Sequence, residues 1–238
     1  MSTNKEKFIE ILGHFRQLSD EMSKTVQSFF IWRTLYLSRS IEEAGQKIAE
    51  RNVEIINSYK NFFIQTEDNH LHSFVIGVSK FFDKDARALS IQFLINKIKD
   101  SAEIFTRETI IEAYPERFNT VDMHSCAPIE NEDEQKIKEI KEKYQPLIDK
   151  LKDFRDTRSA HHDVKITDLT FIPTDVEGLI NAIQEILNII SARFNDSTTD
   201  WRMLKEGAIR ETNLLLENLD RGEKQRIKEL KEEYGIKD

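Results

Sequence analysis

The chain has 238 residues, 39% of them hydrophobic and 33% charged, with 7 glycines and 4 prolines. That length holds one large domain or two small ones around a sizeable core, and so little glycine and proline argues against a loop-rich or disordered chain. The abundance of Glu, Lys, Ile and Leu points to an all-α protein. A net charge of −8 repels nucleic acid and anionic membranes except at a local basic patch, which excludes a general nucleic-acid coat but not a focused phosphate site.

No apolar run approaches the roughly 20 residues of a membrane span, and the opening MSTNKEKF lacks the apolar stretch of a secretory signal. A cytoplasmic protein without membrane partners is expected. The single cysteine, Cys126, excludes a disulfide within the chain.

In chain order, Phe8, Ile11, Leu12, Phe15, Leu18 and Met22 recur at three- and four-residue steps and predict an amphipathic helix. A second helix is expected from about Thr25 to Phe63, bent or broken near Ser38 to Ser40, its opening FFIWRTLYL deeply buried. Polar Gln65 to Asn69 reads as a loop, followed by a helix from His70 to Phe82 that ends at Asp83-Lys84-Asp85. Ser90 is placed to cap a helix running through Ile104 to Tyr114. The stretch Pro115 to Pro128 has no periodicity and predicts a long loop. A charged helix then runs from Asn131 toward Asp163, with Pro146 expected to kink or restart it. Pro173-Thr174-Asp175 marks a further helix start, with the stripe Val176, Leu179, Ile180, Ile183, Ile186, Leu187, Ile190 and Phe194. A last helical region carries Trp201 to Leu219. The expected organisation is one helical domain over residues 1–220, a bundle of long antiparallel helices, and a charged helical tail over 221–238.

Several polar groups read as structural. His124 and Cys126 form only half of a metal-ligand set. His70 and His72 flank an apolar helix start, a place for capping and solvent contact. Asp83 and Asp85 shape the turn between two helices. There is no glycine-rich phosphate loop, and neither a metal site nor a cofactor is expected.

The stretch DFRDTRSAHHDVKITD, residues 153–168, differs from the rest. Cleavage of an RNA phosphodiester through its own 2′-hydroxyl requires a base, an acid and a cation for the phosphorane. Histidine can carry both proton transfers near neutral pH, and arginine offers a fixed bidentate fork to phosphate oxygens. On an ideal helix at about 100° per residue, His162 nearly eclipses Arg155, whereas His161 lies about 120° away. Dipole compensation and surface ion pairing at a helix end use the same residue types.

Arg155-Asp156-Thr157-Arg158-Ser159-Ala160-His161, completed by Asp163, resembles the signature of the HEPN superfamily: an arginine, commonly followed by Asn, Asp or His, and a histidine after four to six intervening residues. The form is most similar to the abortive-infection U-type branch, which LHSFVIGVSKFFDKDARALSIQFLI, residues 71–95, also resembles. The resemblance covers about residues 8 to 220. It implies an all-α HEPN-like helical bundle that works as a homodimer, with the motifs of two chains facing across one cleft. It also implies a metal-independent endoribonuclease acting on RNA as a toxin or phage-defence effector, often beside a nucleotidyltransferase-like antitoxin. Carried over residue by residue, Arg155 holds the scissile phosphate, Asp156 orients that arginine or the histidine, and His161 is the general acid or base. Arg158 and His162 are possible auxiliaries, and His162 remains an alternative to His161 on spacing. A non-catalytic module for nucleotide sensing or protein interaction is the other function the resemblance allows.

Overall fold

The computed structural model describes residues 3–85, 87–114, 128–160, 171–195 and 198–235. Among them all regular structure is helical: α1 (Asn4–Leu37), α2 (Ile41–Ala44), α3 (Gln46–Ser58), α4 (Lys60–Phe81), α5 (Ile91–Lys99), α6 (Arg107–Ala113), α7 (Asn131–Ala160), α8 (Pro173–Asn195) and α9 (Arg202–Tyr234), with one 3₁₀ turn at Ala102–Ile104. No described helix is long and apolar enough to cross a membrane. Most of the predicted loop at Pro115 to Pro128 lies outside the described residues.

Three boundaries differ from expectation. α1 runs unbroken past Thr25, because Met22, Val26, Phe29 and Phe30 extend the buried stripe of Phe15 and Leu18 and no glycine or proline falls between residues 14 and 37. The expected break arrives at Ser38 to Ser40, where Asn52 Nδ2 donates to the Ser38 carbonyl at 3.0 Å. Gln65 to Asn69 is helix, not loop: fully buried Phe63 and Phe74 pin α4 on either side of it, Gln65, Asp68 and Asn69 are exposed, and half-buried Glu67 pairs with Arg39 at 2.9 Å. The helix from Ser90 is shorter than expected. It is capped as predicted, Ser90 Oγ accepting from the Phe93 N–H at 3.3 Å, but ends at Lys99. Thr106 then caps α6 through Thr109 N–H, and the intervening turn buries Ile104 and Phe105 side by side, which a continuing helix would splay by about 100°.

The chain divides into two compact units, residues 1–25 with 75–201, and residues 26–74 with 202–238. In the first, Phe8 packs edge-on against Phe105 and Tyr114, with ring centroids 5.9 and 6.4 Å away. α8 begins at Pro173 as expected, and Val176, Leu179, Ile180, Ile183, Ile186, Leu187 and Ile190 are all fully buried, each contributing about 1.5–3 kcal/mol relative to exposure. α7 lies close to α8 at Gly178, where an added Cβ would sit 3.0 Å from Tyr144 Oη. Arg193 near the end of α8 donates to Asp133 at 2.7 Å and pairs with Glu130 at 3.2 Å. α7 itself continues through Pro146 without restarting.

In the second unit Leu35, Ile55, Ile56, Phe63 and Leu216 form a buried cluster flanked by Ile31 and Leu219. Phe29, Trp32 and Phe74 meet at ring distances of 5.2 to 6.0 Å. Tyr59 Oη donates to Glu223 Oε1 at 2.6 Å, tying α9 to α3's end. Residues 221–234 continue α9 as helix.

Gly77 marks a close approach of α4 to α1, since a Cβ there would overlap Thr25 Oγ1 and fall 3.1 Å from Thr25 Cβ. Gly77→Ala is therefore expected to destabilise the protein by about 1–3 kcal/mol, and Thr25→Ala in the same chain to restore part of that loss. Guanidinium denaturation of the single and double variants checks this, and a Gly77→Ala protein as stable as the parent contradicts the close approach.

Candidate functional site

The apolar face of α7 comprises Ile137, Ile148, Leu151 and Phe154, all buried, and Phe154 stands edge-on to Phe171 with ring centroids 6.2 Å apart. Arg155 follows Ile148 by seven residues, about 20° from it on an ideal helix, so it sits where the apolar stripe would continue. Its side chain is accordingly 29% exposed, against 64% for Asp156. Arg155 Nε donates to Asp156 Oδ1 at 2.7 Å, and a terminal guanidinium nitrogen is 2.7 Å from the same oxygen. A pair this exposed contributes about 0–1 kcal/mol. Its consequence is orientation: the carboxylate turns the guanidinium fork, and a phosphate can share or displace it.

Of the residues singled out in the sequence, the structure thus brings together Arg155 and Asp156. Arg158 lies in the last turns of α7. His161, His162 and Asp163 lie outside the described residues, as do His124 and Cys126. His70 and His72 are inside α4, not at its start, so they cap nothing; burial holds His70 below the ordinary histidine value. Asp83 and Asp85 shape the turn as expected, Asp83 Oδ1 accepting from the Asp85 N–H at 3.0 Å and Asp85 from the Arg87 N–H at 2.9 Å.

Sequence reasoning missed a second feature of α7. A cavity of about 560 Å³ opens between α7, α5 and the end of α4, and Lys84, Lys141 and Lys152 line it together with Phe93, Gln92 and Gln145. Lys141, Gln145 and Lys152 fall within about 40° of one another on the helix, at the border of the apolar stripe, which is why their stems are half-buried. Lys152 Nζ donates to the Phe82 carbonyl at 2.7 Å, and Lys141 Nζ reaches Gln92 Oε1 at 3.4 Å. Burial, then the charges of Lys152 and Lys84, push Lys141 below the ordinary lysine value. Burial and Lys84 do the same to Lys152, aided by Arg155 and opposed by Asp83 and Asp149. The spacing of Lys141 and Lys152 was visible in the sequence, but in so lysine-rich a helix it reads as a solvated face. Nothing local to either places Lys84 beside them.

Among the described residues all regular structure is helical, as in an all-α HEPN-like fold. The chain belongs to the HEPN family AbiU2, whose model matches residues 5–215. No curated protein and no solved structure matches it.

The lysine cluster has a consequence for stability. A lysine whose folded value lies below its unfolded one holds fewer protons when folded, so stability rises with pH across the window between the two values, and the charged form is a penalty below it. Lys141→Gln is expected to raise the melting temperature at neutral pH and to flatten the gain that the parent shows as pH climbs toward the ordinary lysine value. Thermal denaturation from neutral to alkaline pH measures both, and a variant that melts lower at neutral pH speaks against strained burial of this cation.

Proposed function

We propose that the protein is a metal-independent endoribonuclease of the abortive-infection type, active as a homodimer whose two chains each supply half of a composite site. Membership of AbiU2 points to an RNase-type or abortive-infection role. The observation that carries the finer reading is the Arg155–Asp156 pair at 2.7 Å, standing where the apolar stripe of α7 gives way to polar side chains.

In this reading Arg155 holds the non-bridging oxygens of the scissile phosphate, its fork kept in register by Asp156. A base takes the proton of the 2′-hydroxyl, whose oxygen attacks phosphorus. The bond to the 5′-oxygen breaks, and an acid returns a proton to that leaving oxygen. The products are a 2′,3′-cyclic phosphate and a 5′-hydroxyl. His161 serves as the acid or base, with His162 and Arg158 as possible helpers, and pairing of two chains places one histidine on each side of the phosphate. The biological role is that of a toxin or phage-defence effector in the cytoplasm, restrained by a nucleotidyltransferase-like antitoxin.

Purified protein incubated with structured RNA in EDTA is expected to yield 2′,3′-cyclic phosphate ends. Arg155→Ala is expected to lower the rate about 10²–10³-fold, as loss of one transition-state donor does. Arg155→Lys should recover only part of it, since the point charge lacks the fork, and His161→Ala should abolish cleavage while His162→Ala retains some. Circular dichroism checks that the variants are folded. Cleavage surviving both Arg155→Ala and His161→Ala removes the proposed site.

A further inference from the structure

We infer that the cavity between α4, α5 and α7 is a phosphate-binding pocket in which Lys141, Lys152 and Lys84 hold the anion. Three observations converge on it. First, the three cations come from two separate stretches of chain and line one cavity of about 560 Å³, within the size range of small-ligand sites. Second, no ion pair to any of the three forms among the described residues. The aspartates beside them are engaged elsewhere: Asp85 pairs with Arg87 at 2.8 Å, and Asp83 accepts the turn N–H of Asp85. Lys97 at the rim pairs with Glu10 at 3.4 Å, and Asp100 completes the charged lining.

Third, the cluster is electrostatically unfavourable as it stands. In a chain of net charge −8, three lysines line one cavity without an ion pair to the aspartates beside them, although Asp83 and Asp149 partly offset the charge at Lys152. Lys141 and Lys152 are partly withdrawn from water, and that burial together with the charge of Lys84 weakens proton binding at both. An anion with several oxygens relieves all of this at once: it satisfies ammonium donors, cancels the repulsion and exploits the lowered local dielectric. A phosphate matches three convergent ammonium groups better than a carboxylate, which has fewer oxygens to share among them. The phosphate can belong to a free phosphorylated molecule or to an RNA strand. Lys152 lies one turn before Arg155, whose charge reaches it, so a strand held here would extend toward the motif. The pocket itself stands on the lysines and holds whether or not Arg155 and His161 cleave RNA.

Titration calorimetry of the full chain, with pyrophosphate in one arm and a short 2′-O-methyl RNA in the other, tests the pocket; the second probe cannot be cut through its 2′-oxygen, so binding and cleavage are read separately. Saturable binding of either probe at one site per chain is expected, weakened about tenfold or more by Lys141→Gln, a loss near 1.4 kcal/mol, and kept by Lys141→Arg. Lys228→Gln, on the exposed far part of α9, should leave binding unchanged. Dependence on Lys141 in the pyrophosphate arm identifies a free-phosphate site, and dependence in the RNA arm alone identifies a strand site. The inference is overturned if neither probe binds, if Lys141→Gln binds as the parent does, or if Lys228→Gln weakens binding equally. Loss of RNA cleavage in Arg155→Ala with pyrophosphate binding intact leaves both proposals standing, whereas intact pyrophosphate binding in a protein that never cleaves RNA removes only the nuclease.

Discussion

The burial of Ile137, Ile148, Leu151 and Phe154 sets the rotation of α7 about its own axis, and the chemistry of this protein depends on that single constraint. Once those four side chains are out of water, every polar group on the helix has its direction assigned by the 3.6-residue repeat. Arg155 lands on the continuation of the apolar stripe, Lys141 and Lys152 on its border, and most of the remaining lysines and glutamates in solvent. Turning the helix by one residue would cost several buried side chains, at about 1.5–3 kcal/mol each. No surface ion pair on α7 approaches that magnitude, so packing decides and electrostatics yields to it.

This rotation produces a local charge pattern opposed to the overall one. The acidic chain carries three convergent lysines around a cavity and an arginine one turn farther on, all but Lys84 held by a helix whose anchors are apolar. Stability alone offers no reason for such crowding, since it penalises the folded state wherever these lysines are charged. Sites that must receive charge commonly show this kind of tension. The Arg155–Asp156 pair is the complementary case, a cation already turned by a carboxylate yet open enough to be taken over by a phosphate.

Where sequence patterns misplaced boundaries, the cause was a competition that local composition does not reveal. Gln65 to Asn69 has the polarity of a loop, but Phe63 and Phe74 are both buried and the helix between them needs only one apolar face. Asp100 interrupts a promising helical stripe because Ile104 and Phe105 are both buried, a demand met by a 3₁₀ turn and a fresh cap at Thr106. Features governed by neighbouring residues were legible: the cap at Ser90, the helix start at Pro173, the break after Leu37, and the turn built by Asp83 and Asp85.

The sequence by itself determined the helical class, the buried stripes and the membership of a HEPN family, because periodicity and a short motif are properties of residues close in the chain. It also singled out Arg155 and Asp156 as adjacent groups of opposite charge. The tertiary structure alone decided that exposed Asp156 turns the Arg155 guanidinium, and that Lys84, nearly sixty residues from Lys141 in the chain, shares its cavity. Coulombic interaction depends on distance in space, and that distance is set by how α4, α5 and α7 bury their apolar faces.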